Sequence, residues 1–338
     1  MSENEPIAPK ENLSLLAVRS AIGGALMGLA NLVPGISGGT MLLAAGVYRK
    51  FVGAVADVST LRFSLASLLV LGTVVSAAGV ALVVFAEPIV WAVVNYRWAT
   101  YALFIGLTLG GAPLVWKLAR PATTSMWIGV ACGFVTITAL ALAQFAGVTG
   151  SGQTGFVMLF LAGLAGASAM ILPGVSGGYL LLLLGQYVPV LDTLARIGDA
   201  VEARDPVMAL QEWSICVPFG AGLIVGVVGV SNLIKFLLRK YKKPTLGVLL
   251  GLLVGAVIGL WPFQQGVAPV VGDEYEGRVL TQLDIDEMEA VDYPVRFFTP
   301  SAMQVGGAIV LILVGFGITQ AISLVGGEEE DPDDQNEG

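Results

Sequence analysis

Apolar runs dominate the chain, and polar positions fall in the gaps between them. Read by length, the runs predict ten segments. The first five are Leu13–Val33, Thr40–Ala56, Phe63–Ala86, Trp98–Val115 and Ser125–Phe145. The second five are Phe156–Leu172, Tyr179–Leu194, Ser214–Ile234, Leu246–Phe263 and Ala302–Val325. Most gaps are short and rich in Gly, Pro or charge. Two are longer, Ala195–Trp213 and Gln264–Pro300, and are expected to form structured surface loops. Several runs reach the roughly 20 residues that span a bilayer. Of the 338 residues, 56% are hydrophobic and only 12% charged, about half the charge of a typical soluble domain. An all-α polytopic integral membrane protein follows.

One hexapeptide occurs twice. Pro34-Gly35-Ile36-Ser37-Gly38-Gly39 returns 139 residues later as Pro173-Gly174-Val175-Ser176-Gly177-Gly178. At the same offset Gly46 meets Gly185 and Tyr48 meets Tyr187. This predicts an internal duplication of five segments per half. The expected divisions are a polar N-terminus (1–12), membrane repeats at 13–150 and 151–326, and an acidic tail (327–338). The loop 264–300 belongs to the second repeat.

Five is an odd number, so the second repeat should lie upside down. Cytoplasmic loops carry excess Lys and Arg. Lys235, Arg239, Lys240, Lys242 and Lys243 place the loop before the ninth segment inside. Counted back from there, Arg49, Lys50, Arg62, Lys117 and Arg120 also fall inside, as do both termini. The loop 264–300 then falls outside. The polar N-terminus makes a poor secretory signal, so the first segment is expected to stay in the mature protein. Segments 1–2 and 6–7 are either paired full spans or re-entrant hairpins, each broken at its motif. The shortness of Thr40–Ala56 and Tyr179–Leu194 favours the hairpin.

The motif itself suggests chemistry. Proline ends the preceding helix near Val33 or Leu172. The glycines permit unusual backbone, and a new helix is expected at Thr40 or Tyr179. Irregular backbone at membrane depth survives only if protein buries it or it lines a watery cavity. A Gly-rich turn opening a helix can bind an anion, and broken helices of inverted-repeat transporters meet near the midplane in this way. The candidate anion site is Pro34, Gly35, Ser37, Gly38, Gly39 and Thr40, with Pro173, Gly174, Ser176, Gly177, Gly178 and Tyr179. Read blandly, the motif is a tight turn whose small residues serve helix packing. Arg19, inside the first segment, and Arg49 are possible counter-charges, or a snorkelling side chain and an inside-loop charge. Asp57, Glu87 and Asp192 sit at segment ends, solvated or carrying a coupling proton.

Composition narrows the rest. The chain has no histidine, which removes His-based acid–base and nucleophilic chemistry and most zinc sites. Cys132 and Cys216 lie in apolar segments and are read as buried packing residues. The net charge of −8 is concentrated in Glu328–Asp334 and Asp273–Asp292, runs expected to be solvated and partly disordered. No basic patch suggests nucleic acid. The six tryptophans fall near segment ends, as an interfacial belt does.

The paired signatures Asn31-Leu32-Val33-Pro34-Gly35-Ile36-Ser37-Gly38-Gly39-Thr40 and Leu172-Pro173-Gly174-Val175-Ser176-Gly177-Gly178 resemble those of the polyprenyl-phosphate transporter family. The resemblance runs from about Leu13 to Val325. It implies return of undecaprenyl phosphate, or a related polyprenyl monophosphate, across the cytoplasmic membrane for re-use. It implies a phosphate site at the motif residues and no organic cofactor. A proton or sodium ion remains a possible coupling partner. The second copy departs from the first at Tyr179, where the first has Thr40. A small-anion channel using the same helix ends is the alternative. A lipid-phosphate enzyme is disfavoured, because no acid, Lys or His lies near either serine in sequence.

Overall fold

The computed structural model describes residues 13–31, 37–146, 155–187, 189–190, 193, 196–197, 212–275, 278–288 and 293–325. Two expected features therefore lie outside the described residues: Pro34 and Gly35 of the first motif, and the acidic tail. So do Asp192 and most of 195–212.

The first half contains α1 (Leu13–Asn31), α2 (Gly38–Ala44), α3 (Tyr48–Ser59), α4 (Leu65–Gly110), α5 (Ala112–Ala119) and α6 (Thr124–Phe145). The second contains α7 (Phe156–Ile171), α8 (Gly177–Leu183), α9 (Trp213–Lys240) and α10 (Lys242–Gly259). A surface segment follows with β1 (Gln264–Gly266), β2 (Glu274–Tyr275), β3 (Arg278–Val279), α11 (Gln282–Glu287) and β4 (Val295–Phe297), then α12 (Ala302–Val325). Among the described residues, seven helical stretches are long and apolar enough to cross a membrane. The chain is a multi-pass helical membrane protein.

Three boundaries differ from the ten-run reading. The run Thr40–Ala56 is two helices, because the chain turns at Gly46 with φ +70°. Gly185 turns likewise with φ +68°. Only glycine takes this left-handed backbone without strain. The gap between the third and fourth runs is helical up to a kink at Tyr96 (φ −135°, ψ 45°), which separates α4 into two helical stretches. Pro88 lies within it, as prolines do in membrane helices. The described residues of the acidic loop carry regular structure. Strands β1 and β4 pair antiparallel, β2 pairs with β3, and Thr281 and Asp284 form a reciprocal cap on α11.

Small residues decide how the helices pack. α1 lies on the first stretch of α4, α7 on α9, α6 on α10, and the second stretch of α4 on α12. In each pair a glycine on one helix sits directly against backbone of the other, so that a methyl group there would overlap it. Gly24 and Gly28 meet Val74 and Ala78, while Gly222 and Gly226 meet Phe160 and Leu164. Gly247 and Gly251 meet Met126 and Val130. Contact positions rise together in both partners, so every pair runs parallel. Such contacts suit a bilayer, where close van der Waals approach must replace hydrophobic exclusion.

The matched positions go beyond the hexapeptide. Tyr241 breaks the chain between α9 and α10 with φ −130° and ψ 51°, almost the values of Tyr96. Four residues on, Thr100 and Thr245 each donate a hydroxyl hydrogen bond to the carbonyl of their tyrosine, at 3.2 and 2.7 Å. At this second offset, 145 residues, Gly106 and Gly110 correspond to Gly251 and Gly255. Gly106 packs on α12 at Ile312, as Gly251 packs on α6 at Val130.

Two apolar clusters mark two ends of the bundle. One joins Leu16, Tyr48, Phe51, Val70, Ala119, Met126, Ile234 and Leu246. Lys117, Arg120 and the run Lys235–Lys243 lie at this basic end. The other joins Ala30, Val93, Tyr101, Phe104 and Leu260. Outside the bundle, Cys132 is exposed and Cys216 half-exposed, contrary to the expected burial. A helix that is apolar all round need not hide every apolar face when lipid surrounds it.

Candidate functional site

The two motifs touch. Asn31 ends α1, and Ile171 ends α7. New helices begin at Gly38 and Gly177, two residues before the expected Thr40 and Tyr179. The Ser37 hydroxyl donates to the carbonyls of Ala169 and Leu172, at 3.3 and 3.1 Å. In return, the Gly174 N–H donates to the Thr40 hydroxyl oxygen at 2.7 Å. Ser37 is 4% exposed and Thr40 2%. A Cβ on Gly39 would lie 2.9 Å from the Ile171 carbonyl oxygen. The first motif is thus clamped to the backbone of the second, and its hydroxyls satisfy groups that the broken helix leaves open.

The second motif is arranged differently. Gly174 takes φ +80°, and a Cβ there would lie 2.7 Å from the Leu252 carbonyl oxygen of α10. The Ser176 oxygen caps α8 by accepting the Tyr179 N–H at 3.4 Å. Gly177 and Gly178 have ordinary space beside them, whereas Gly38 is pressed against Met27 and Asn31. Beside this turn opens a shallow cleft, partly continuous with the exterior, with room for about one water molecule. Gly174, Val175, Ser176 and Tyr179 line it on one side, Ile137 and Gln144 on the other. The Tyr179 hydroxyl is buried and has no hydrogen-bond partner among the described residues. A buried, unsatisfied hydroxyl costs about 1–3 kcal/mol, so it marks a place that a polar ligand group would complete. Pro173 is buried at the turn.

Both α2 and α8 are only seven residues long. Hydroxyl groups, rather than long helix dipoles, therefore give this site its polarity.

Arg19 and Arg49 stand apart from the motif contact. Arg19 is 6% exposed, with its guanidinium against Gly46, so it does not snorkel outward. Arg49 is half-buried in the first turn of α3. Both border the Gly46 turn at the basic end. Nearby, Asp57 pairs with Lys235 and accepts the Ser67 hydroxyl at 3.2 Å. Asn232 donates to the Ser59 hydroxyl at 2.9 Å, so α3 is tied to α9 at two points. The matched positions 139 and 145 residues on hold Arg196 and Glu212, which form an ion pair at 2.7 Å. Hydrogen bonding from Arg196 holds the Glu212 carboxyl below its usual range. Glu87 is exposed.

Comparison with known proteins gives this geometry a family. Residues 27–275, about three quarters of the chain, match the model of the VCA0040-like, undecaprenyl phosphate translocase-like family. The chain belongs to this family. Among its relatives is a polyprenyl-phosphate transporter of Vibrio cholerae serotype O1. That protein is 26% identical over 284 residues, covering 79% of this chain and 84% of its own. A polyprenyl-phosphate transporter of Staphylococcus aureus is 27% identical over 247 residues, covering 71% of this chain and 84% of its own. No solved structure matches. The stretch that matches the translocase-like family holds both motifs, the cleft at Ser176 and the Gly46 turn. Sequence reasoning found the motif residues. It missed the Tyr96/Thr100 and Tyr241/Thr245 pair, whose two shared positions stand among unlike neighbours.

Proposed function

We propose that this translocase-like chain is a transporter that moves a polyprenyl monophosphate lipid across the cytoplasmic membrane. The observation that carries the reading is the contact between motifs beside a cleft lined by Ser176 and Tyr179. Donors next to an apolar wall suit a phosphate whose ester carries a long hydrocarbon chain. Family membership and the names of both relatives support the same substrate class. The first motif braces the turn, and the second faces the phosphate.

The halves are read as inverted five-segment repeats. Support comes from the matched breaks at Gly46 and Gly185, the matched tyrosine breaks, and the exchange of partners between α4·α12 and α10·α6. Segments α1–α2 and α7–α8 are read as hairpins that enter and return. α1 and α4 run parallel, so the residues between them bring the chain back to its starting end, and α2 covers only about 10 Å at 1.5 Å per residue. With the basic end in the cytoplasm, both termini are cytoplasmic and the cleft at Ser176 opens outward. A transporter fits better than an enzyme. Ser176 faces a backbone amide and Tyr179 rather than a base.

The test is transbilayer movement of a polyprenyl monophosphate in liposomes holding the purified protein, with and without pH or sodium gradients. Wild type should move the lipid, and the Ser176→Ala, Tyr179→Phe double variant should move it at least about tenfold more slowly. A folded wild-type protein that moves no lipid but conducts small anions would instead be a channel.

A further inference from the structure

The helix pairs α4·α12 and α10·α6 repeat one arrangement, and this fixes a third set of matched positions. Gly106 meets Ile312 as Gly251 meets Val130, Gly315 meets Leu103 as Gly133 meets Val248, and Gly110 meets Thr319 as Gly255 meets Ile137. Val130, Gly133 and Ile137 each lie 182 residues before Ile312, Gly315 and Thr319. The lining of the Ser176 cleft can now be matched to the first half. Ile137 corresponds to Thr319, Ala256 to Gly111, and Tyr179 and Leu180 to Thr40 and Met41.

This counterpart is shut. All seven residues of α2 are buried, whereas in α8 only Tyr179 is. α2 packs on α4, so closely that a Cβ on Gly111 would lie 3.0 Å from the Ala44 Cα. In the matched gap between α8 and α10 stands the open cleft, at Tyr179, Leu180, Ala256 and Gly259. The shut side lies toward the basic end, where Ala112 and Ile322 join the cluster around Tyr48. Two hydrogen bonds fasten it where α4 gives way to α5. The Thr319 hydroxyl donates to the Leu107 carbonyl at 2.9 Å, and the Gln320 amide to the Gly110 carbonyl at 2.7 Å. On the open side the matched residues are Ile137, which has no donor, and Thr138, whose hydroxyl is buried with no partner among the described residues.

We infer that the contact of α2 with α4 is a closed gate on the basic side, latched by Thr319 and Gln320, and that it opens as α8 closes on α10. The inference rests on the inverted-repeat transporter reading above. When two inverted repeats exchange conformations, a cleft open on one side becomes its image open on the other. Bonds made in only one of the two states bias the equilibrium toward that state. The latch belongs to one half only, so it holds the protein with the Ser176 cleft open and the basic side shut.

Thiol reactivity tests this in lipid nanodiscs free of polyprenyl phosphate, where both faces meet reagent. Met41→Cys and Leu180→Cys are made singly in a background without Cys132 and Cys216, and reaction with a small charged methanethiosulfonate is followed by mass. With the latch intact, Leu180→Cys should react and Met41→Cys should not. Thr319→Val together with Gln320→Leu should raise the Met41→Cys rate about tenfold and lower the Leu180→Cys rate, as loss of two hydrogen bonds shifts a two-state equilibrium. Gly111→Ala, which gives the shut half the residue that the open half carries, should act in the same direction by pressing a methyl group on α2. Thermal melting shows that each variant is folded. Rapid reaction of Met41→Cys with the latch intact, unchanged rates in the folded variants, or a rise at Met41 with no fall at Leu180 overturns the gate. Movement of a polyprenyl monophosphate by wild type is measured separately. Lipid movement without the reciprocal thiol change leaves the transport reading standing and the gate refuted, and no lipid movement overturns the transport reading whatever the thiols show.

Discussion

At the residue scale, the two copies of one motif have taken different work. Thr40 and Tyr179 occupy matched positions, yet the Thr40 oxygen is used by the Gly174 N–H and the Tyr179 hydroxyl is left open. Thr40→Val keeps the shape and removes the acceptor, which strands a buried N–H at a cost of about 1–3 kcal/mol. We expect lower thermal stability in detergent together with slower transport. Tyr179→Phe removes an unsatisfied group, so it should leave melting unchanged or raise it while transport falls. Equal losses of stability in the two variants would mean that Tyr179 is structural like Thr40. The sequence made the motif visible but not this division, because a hydroxyl's partner depends on what the fold places opposite it.

At the scale of elements, parallel pairs with interlocked glycines hold the bundle. Gly106 is pressed on the Ile312 backbone, whereas Gly79, on the first stretch of the same α4, has open space beside it. Gly106→Leu should therefore split α4 from α12 and destabilise by about 1–3 kcal/mol or more, as overpacking does. Gly79→Leu should be close to neutral. Melting of the two variants in the same detergent decides this, and equal midpoints would refute the packing argument. The ten apolar runs were legible because length and hydropathy are local. The break inside Thr40–Ala56 was not, because apolar residues flank Gly46 on both sides and only its φ ends the helix. The helical course of the gap between the third and fourth runs was hidden for the opposite reason: polar residues such as Glu87 and Asn95 continue the helix up to the kink at Tyr96.

At the scale of the molecule, one sequence duplication becomes two sets of exchanged helix pairs. α6 of the first half lies on α10 of the second, and α12 of the second on α4 of the first. The halves therefore share their packing and cannot be separated as independent domains. The proposed inverted arrangement has a direct measurement. In a cysteine-free background, a cysteine at Gly272 should react with an impermeant thiol reagent from outside cells. One at Arg62 should react only after the membrane is opened, and one at Ser176 poorly from either aqueous phase unless lipid phosphate is removed. Reaction of Arg62 and Gly272 from the same side would overturn the topology.

The sequence by itself determined the membrane class, the doubled motif and the family, because composition, run length and motif spacing are written along the chain. The absence of histidine also closed off whole classes of chemistry without any structure. Tertiary structure alone decided what stands beside what. It brought Ser37 to Leu172 across 135 residues, sent Arg19 and Arg49 to the Gly46 turn, and buried the Tyr48 and Tyr179 hydroxyls without a hydrogen-bond partner among the described residues. The reason is physical: hydrogen bonds and close packing at membrane depth join distant residues, and a linear pattern carries no record of which carbonyl a hydroxyl will meet.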